Sequence, residues 1–456
     1  MNAMIPPLYA HQEEDAEFMS RTPRVVNTSD PGTGKSRTVL EAFSRMKERD
    51  EIDFLLVLAP LSILGPSWAA DCRKYTPHLE CSIVTAAKKW KQMPPETMAD
   101  IYITNHDAVT WLLEGWKKDG KRWAICVDEF TVYKHPTSKR SAAIRQLRKH
   151  FEVRWILSGT PNPNGITDIW HPVFITDDGE RLGKVLSGFR MQVCDPIQGH
   201  RGTTWVDKPH AQAVVADRLK DIAIRRKFEE CLDVPENVMR TLEVALPPKL
   251  MKQYRELQRE AALEHDNGTL ITAIHAGAKA NKLLQLCSGA LYDNEGGYQV
   301  FDTTRTDLTL ELIQQRAHSV VAFNWRHQRD LLIAGAEKLG ITYGVIDGTV
   351  SAKEREVVVN RYQAGHLQTV FCHPQSAGHG LTFTKGTATI WPSPTSNAEH
   401  FQQFNRRIYR AGQTQKTETI CIAANGTREV DVYEKLNGKV VRMDDLLDLL
   451  LNLQTR

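Results

Sequence analysis

No C-x-x-C pair occurs in these 456 residues, although the chain carries 8 cysteines. Cys72, Cys81, Cys126, Cys194, Cys231, Cys287, Cys372 and Cys421 are dispersed. That dispersal excludes a zinc ribbon and a disulfide framework, and it predicts reduced, buried thiols in an intracellular protein. No apolar run reaches the roughly 18 residues that a membrane-spanning helix needs. Met1 to Ala10 also lacks the basic start and apolar core of a secretory signal. Membrane insertion and secretion are therefore not expected, and the cytoplasm is. Charge of one sign is scarce as well: 58 Lys and Arg face 55 Asp and Glu, a formal balance of +3. A nucleic-acid partner would have to be held by local basic surfaces rather than by a cationic whole.

What is present is ordinary globular composition, 41% hydrophobic and 25% charged, at a length sufficient for two or three cores. From Arg24 to Thr160, short β-rich runs alternate with helix-compatible ones, the pattern of a parallel sheet covered on both faces. Strands are predicted at Arg24–Ser29, Phe54–Pro60, Ser82–Thr85, Ile101–Asn105, Trp123–Asp128 and Trp155–Ser158. The alternation returns with Val320–Phe323, Thr342–Ile346, Thr369–Cys372, Thr389–Trp391 and Thr419–Ile422. The fold class is thus α/β, with two parallel-sheet lobes: residues 1–175 and 301–456, joined by a mainly helical connector or insertion over 176–300. Within the connector, Thr176 to Gln212 is rich in Gly, Pro and charge, and Pro248 to Leu291 reads as helices broken near Asn267-Gly268. Met443 to Leu453 is leucine-rich and amphipathic, and a closing helix is expected there.

Three stretches carry chemistry. Ser29-Asp30-Pro31-Gly32-Thr33-Gly34-Lys35-Ser36 lies between the apolar Val25-Val26 and a helix-compatible segment, Arg37 to Arg49. Strand, glycine turn and helix start together make a phosphate cradle of backbone N–H groups. Lys35 would reach the β- and γ-phosphates, and Ser36 would ligate magnesium. Ser29 stands where the full pattern has glycine, so an ordinary Gly-rich turn capped by Ser36 also accounts for these residues. A dinucleotide site fits less well, because Arg37 occupies the third glycine position. Ala124-Ile125-Cys126-Val127-Asp128-Glu129 ends a buried strand in two acids, Asp128 suited to a metal and Glu129 to polarising a water; a solvated turn is the bland reading. Leu157-Ser158-Gly159-Thr160-Pro161 ends the next strand with small hydroxyl groups that would sense a γ-phosphate, or that simply turn the chain. In the second lobe, Gln403 to Arg410 is helix-compatible and puts Arg407 and Arg410 on one face, as arginine fingers need and as a solvated basic helix also allows.

In order, Gln12, Gly34-Lys35-Ser36, Asp128-Glu129, Ser158-Gly159-Thr160, Ser376-Ala377-Gly378-His379-Gly380-Leu381 and Gln403-x-x-x-Arg407-x-x-Arg410 resemble the motif series of superfamily 2 helicases. Leu58-Ala59-Pro60-Leu61-Ser62 with Trp68 after it, Ser138-Lys139, Pro163-Asn164 leading to Ile169-Trp170, and Ile346-Asp347-Gly348 leading to Arg355 narrow the resemblance to the SWI/SNF-like branch. Arg407-x-x-Arg410-Ala411-Gly412-Gln413 closes it. The match runs from about Leu8 to Lys435 and looks most like the compact members of bacteriophages and bacteria.

The resemblance implies two RecA-like lobes with ATP in the cleft between them. It implies that Gln12 reads the adenine, and that Pro31, Gly32, Thr33, Gly34, Lys35 and Ser36 cradle the phosphates. Lys35, Asp128, Glu129, Gln403, Arg407 and Arg410 would be catalytic, with magnesium on Ser36 and Asp128. Phe130-Thr131 and Tyr409 depart from the usual small residue and histidines. Sequence-independent backbone contacts to DNA are expected from Ser62, Thr104, Asn105, Asn324, His379 and Thr382. Lys139 and Arg140 begin a basic stretch, Ser138 to His150, that reads as a DNA rail or a solvated helix; Arg225-Arg226-Lys227 is a second candidate. The function implied is an ATP-dependent DNA translocase acting on duplex, forked or branched DNA, monomeric, without zinc or a membrane, in a bacterial or phage-infected host cell. A strand-separating helicase and an ATP-switched DNA scaffold are the other readings.

Overall fold

The computed structural model describes residues 5–116, 120–199, 202–231, 233–266, 273–293, 295–377, 381–436 and 446. Two compact units divide the chain: Met1–Asp233 with Lys439–Arg456, and Val234–Gly438.

In the first unit the strands are β1 (Arg24–Asn27), β2 (Phe54–Ala59), β3 (Cys81–Ile83), β4 (Ile101–Asn105), β5 (Trp123–Asp128), β6 (Val153–Leu157), β7 (Cys194–Gly199), β8 (Gly202–Asp207) and β9 (Ala223–Ile224). Seven of them form one sheet in the order β3-β4-β2-β5-β6-β1-β9, and all its pairings are parallel. Both faces are covered, which is why these strands read as continuous apolar runs. In β2, Phe54, Leu56 and Leu58 enter one core and Leu55, Val57 and Ala59 the other. Each such side chain stabilises the fold by about 1.5–3 kcal/mol. Trp123 and Trp155 are core residues, as their strand positions predict.

The second unit contains β10 (Asn237–Val244), β11 (Ala290–Tyr292), β12 (Tyr298–Val300), β13 (Ser319–Ala322), β14 (Tyr343–Ile346), β15 (Thr369–Cys372), β16 (Ala388–Trp391) and β17 (Thr417–Ala424). Its six-stranded parallel sheet has the order β10-β17-β16-β13-β15-β14. Val320, Ala322 and Trp391 face one core, and Val321, Phe371 and Ile390 the other. Both lobes are thus α/β with parallel sheets, and every strand of the two expected series is present within two residues at either end.

The middle of the chain differs from the expected connector. The boundaries read at 175 and 300 fall inside the two units. Residues 176–300 add an edge strand to each large sheet, β9 and β10, and two small antiparallel sheets, β7-β8 and β11-β12. Helices do occupy Pro248–Asp266 and Ala273–Cys287, with the expected break at 267–268 outside the described residues. Of the expected closing helix only Leu446 is described; it is helical and buried in a core of the first unit. Among the described residues no helix is long and apolar enough to cross a membrane, and no cluster of metal-binding side chains occurs. All eight cysteines are free thiols, six of them buried and Cys81 and Cys231 half-buried.

Candidate nucleotide-binding and catalytic site

In the first unit's sheet β5, β6 and β1 are neighbours, so their carboxyl ends bring Asp128-Glu129, Ser158–Thr160 and the 28–34 turn together. After β1 the chain turns through Gly34, whose φ of 87° is left-handed, into the helix Lys35–Glu48. Glycine is favoured there by that φ, and a β-carbon would also displace the side-chain amide of Gln12. Gln12 is buried, donates through Nε2 to Thr33 O at 3.2 Å, and accepts from Tyr9 N–H at 3.2 Å. His11 Nε2 lies 2.9 Å from the same Thr33 carbonyl. The Gln12 position expected from the motif order therefore does lie against the turn; His11 was not singled out.

The turn is braced from inside. Thr33 Oγ1 donates to Asp30 O at 2.9 Å, and Ser29 N–H to Asn27 Oδ1 at 3.0 Å. The Asp30 carboxylate accepts from Arg225 Nη1 at 2.6 Å and from Phe228 N–H at 2.9 Å. Arg225 is 3% exposed and its neighbour Arg226 is paired with Glu14 and Asp15. These two arginines, read as part of a DNA-facing run, are committed instead to acids of their own unit.

Lys35 is partly accessible, but its ammonium turns inward, donating to Ser29 O at 2.7 Å and Asp30 O at 3.1 Å. Burial pushes that ammonium below its usual range, against the opposing pull of Glu129, Asp128 and Asp30. Asp128, 8% exposed, accepts from Trp68 Nε1–H at 2.8 Å on Oδ2 and from Glu129 N–H at 3.1 Å on Oδ1. Burial, and then the Glu129 charge, push its carboxyl up to about 7. Glu129 adopts a left-handed φ of 53°. Such backbone strain in a non-glycine residue concentrates at functional sites. Its Oε2 accepts from Ser158 Oγ at 3.3 Å, and Ser158 Oγ accepts in turn from Thr160 N–H at 3.1 Å. A β-carbon at Gly159 would stand 2.7 Å from Pro31 Cδ, so this loop packs directly on the turn. Phe130 and Thr131, which depart from the motif pattern that the sequence resembles, are both buried.

Four polar side-chain atoms at the end of β1 and on these loops are buried without a hydrogen-bond partner: Asn27 Nδ2, Ser29 Oγ, Thr160 Oγ1 and Asn162 Oδ1. Each costs about 1–3 kcal/mol. Their concentration beside a glycine turn, a lysine and two carboxylates fits a polar, anionic ligand with a bound cation, which is the chemistry of a magnesium nucleotide. Pro31, Gly32 and Ser36 are half-buried there, and Thr33 is buried.

In the second unit one expectation is corrected. The helix Ala398–Asn405 ends before the arginines, so Arg407 and Arg410 do not share a helical face. They converge nonetheless, donating to Leu381 O at 3.3 and 2.9 Å. Gln403 lies within the helix, 2% exposed, donating to Glu399 at 3.3 Å while its Oε1 is buried without a partner.

The DNA-contact candidates are not equivalent. Ser62 lies half-buried on a tight turn beside Leu61, which is 73% exposed. Thr104 is buried and donates to Val84 O at 2.8 Å, and Asn105 is half-buried beside Asp107. Asn324 donates to Ser393 O and Pro394 O, tying down the chain after β16. Thr382 is half-buried, and His379 lies outside the described residues. On the helix Lys139–Leu147, Lys139 is exposed and Arg140 pairs with Asp107. Arg148 leaves the expected basic rail: it is buried, bonded to Asp178 at 2.9 Å and stacked on Phe174.

The model of the SNF2-related domain matches residues 11–288 of this chain, more than half its length. The chain belongs to the SNF2-related family. A second model, the helicase conserved C-terminal domain, matches residues 304–412. Together they place the SNF2-related chain in the SWI/SNF-like branch of superfamily 2, among ATP-hydrolysing enzymes that use ATP, usually with magnesium. Protein p41 of Acyrthosiphon pisum secondary endosymbiont phage 1 is 28% identical over 438 residues, covering 91% of this chain and 93% of p41. YwqA of Bacillus subtilis (strain 168), whose name proposes an ATP-dependent helicase/translocase, is 24% identical, covering 92% of this chain but 46% of YwqA. Protein CHROMATIN REMODELING 24 of Arabidopsis thaliana is 22% identical, covering 94% of this chain and 45% of that protein. This chain therefore spans nearly all of the phage relative and less than half of the other two. Among solved structures, the Sulfolobus solfataricus SWI2/SNF2 ATPase core in complex with dsDNA is 21% identical with a TM-score of 0.44, covering 97% of this chain and 93% of that one.

Proposed function

We propose that this SNF2-related ATPase is a DNA translocase: it hydrolyses ATP in response to DNA and uses the cycle to move on duplex or branched DNA, remodelling or reannealing it. The observation that carries the reading is the joining of Lys35, Asp128, Glu129 and Ser158 through the loops that end β1, β5 and β6. In this reading Lys35 and the N–H groups opening its helix bind the β- and γ-phosphates. Ser36 and Asp128 would hold magnesium, which when bound neutralises charge on the phosphates. Glu129, its carboxylate oriented by Ser158, receives the proton of the attacking water, and Gln12 selects the adenine. Gln403, Arg407 and Arg410 belong to the same reaction, the guanidinium groups compensating charge on the transferring phosphoryl group. Ser62, Asn105, Lys139, Arg140, Asn324, His379 and Thr382 serve the sugar-phosphate backbone, so affinity falls with salt. Thr104, whose hydroxyl is used internally, shapes that surface rather than touching DNA. The name of YwqA, a helicase/translocase, supports ATP-driven movement, and the protein is taken to act as a cytoplasmic monomer.

Measuring ATP turnover with single-stranded, duplex and forked DNA, beside strand-displacement and annealing assays, tests the proposal. Duplex or forked DNA is expected to stimulate turnover without strand separation. Lys35→Ala or Glu129→Gln should abolish turnover with the fold intact, and Arg410→Ala should bind ATP but hydrolyse it poorly. Near-normal turnover in Lys35→Ala would sink the site. Strand displacement by the wild type would favour a helicase, and DNA binding with no stimulation an ATP-switched scaffold.

A further inference from the structure

Between β2 and the helix Ala70–Tyr75 the chain makes a tight turn, Leu61–Ile63, and then a wide π-type turn, Leu64–Ala69. Wide turns of this kind are frequent at functional sites. This one carries Trp68. That residue is 0% exposed and packs in the core with Ile63, Leu64, Val57 and Cys126. A buried indole needs a partner for its N–H, and Trp68 finds it in Asp128 Oδ2 at 2.8 Å. The other oxygen of that carboxylate is held by the Glu129 N–H. With both oxygens bonded, the carboxylate plane is fixed about its side-chain torsion. The indole N–H is what the carboxylate uses.

We infer that Trp68 is a positioning residue that orients the Asp128 carboxylate and mechanically ties it to the segment carrying Ser62. The inference rests on the proposed reading of Asp128 as the magnesium carboxylate. It adds a route by which DNA at residues 61–63 acts on hydrolysis. Those residues lie five to seven positions before Trp68 along one continuous turn, so a displacement of the exposed end is passed to the indole and from there to Asp128. Groups that orient a metal ligand from behind change metal affinity or activity by about 10–100-fold when removed.

The test is Trp68→Phe in the full chain, which keeps a buried ring and removes the donor. Three quantities are read: binding of a fluorescent ADP analogue with and without magnesium, ATP turnover with and without duplex DNA, and the melting temperature. The expected result is a rise of about tenfold in the magnesium concentration that half-saturates nucleotide binding, together with a loss of about tenfold or more in DNA-stimulated kcat. Nucleotide affinity without magnesium should stay unchanged. Wild-type magnesium dependence and wild-type DNA stimulation would overturn the inference. So would a uniform loss of nucleotide binding with and without magnesium, which marks the indole as packing only. If Trp68→Phe does not fold, benzothienylalanine at position 68 replaces the N–H by sulfur in the same shape and is read identically. Asp128→Asn separates the two levels. If it keeps normal magnesium dependence, the reading of Asp128 fails; if it loses that dependence while Trp68→Phe does not, only the role of Trp68 fails.

Discussion

Removing Arg225 should uncouple the phosphate turn from the strand that braces it. Its guanidinium is 2.6 Å from Asp30 Oδ1 and donates also to Thr28 O at 3.0 Å, with the two side chains 3% and 11% exposed. Arg225→Met keeps most of the stem volume but leaves the Asp30 carboxylate buried opposite a thioether. Stripping one partner from a buried pair costs about 3–5 kcal/mol, chiefly because the survivor has lost its compensation. For a unit of this size each kcal/mol is worth about 2–4 °C, so the first unit should melt roughly 6–20 °C lower. Asp30→Asn added to Arg225→Met removes the buried charge that has lost its arginine, and its amide oxygen still accepts from Phe228 N–H. The double variant should therefore recover most of the loss, although Asp30→Asn alone is itself destabilising. Urea unfolding followed by tryptophan fluorescence, closed as a double-mutant cycle, gives the coupling. An Arg225→Met cost below about 1 kcal/mol, or a double variant as unstable as the two single losses summed, would refute the claim that this pair braces the turn.

Two other perturbations probe the same framework. Gly159→Ala would put a β-carbon 2.7 and 2.9 Å from Cδ and Cγ of Pro31; since a proline ring cannot rotate away, the turn itself must move. Nucleotide affinity should drop about tenfold or more while stability falls only by about 1–3 kcal/mol, and an unchanged affinity in a nucleotide titration would show that the contact does not position the turn. Burial pushes His171 and His327 down to about 4, one in each unit. Both are neutral when folded and take up a proton near 6.5 when unfolded. Their stabilising share is therefore complete above about pH 6.5 and is lost as pH falls towards 4, at about 1.4 kcal/mol per pH unit for each. Urea midpoints measured from pH 7.5 to 4.5 should fall along that limb and flatten in His171→Gln or His327→Gln; an identical slope in wild type and variants would count against it.

The central strands were legible because both their faces are buried. Phe54–Ala59 and Trp123–Asp128 are buried at every position, so both are apolar up to the Asp128 that ends the second, the run that a covered parallel strand needs. β10 gave no such signal: as an edge strand it is half-buried at Asn237 and exposed from Val238 to Thr241. β7 and β8 were hidden for a similar reason, since residues 195–198 are all exposed. The motif residues of the site were legible individually, and the loops joining them follow from the order of β5, β6 and β1. Their supports were not. Asp30 and Arg225 lie 195 positions apart, and a one-dimensional reading of Arg225-Arg226-Lys227 sees only a charge run. Which face of such a run meets water depends on distant acids such as Asp30, Glu14 and Asp15. Trp68 was noted for its spacing after Pro60-Leu61-Ser62, but nothing in that spacing reports the carboxylate it touches.

These supports share a pattern. Asp30, Asp128 and Glu129 are each held by a group from a different loop: Arg225 after β9, Trp68 after β2 and Ser158 after β6. A carboxylate gripped by one neighbour could relax alone, whereas three gripped from separate loops are constrained by the sheet that spaces those loops. Two of the gripping segments also lead away from the nucleotide. The Arg225 segment runs on to Val234, where the second unit begins, and the Trp68 segment starts at Ser62, a candidate DNA contact. The proposed translocase activity requires the hydrolytic groups to respond to what the rest of the molecule is holding, and packed interiors transmit displacement because they do not compress. Hydrogen bonds of 2.6–2.8 Å from buried donors join those two segments to Asp128 and Asp30. On that argument Arg225 and Trp68 should affect stimulated turnover more than unstimulated turnover, whereas Ser158, which reaches neither segment, should affect both alike.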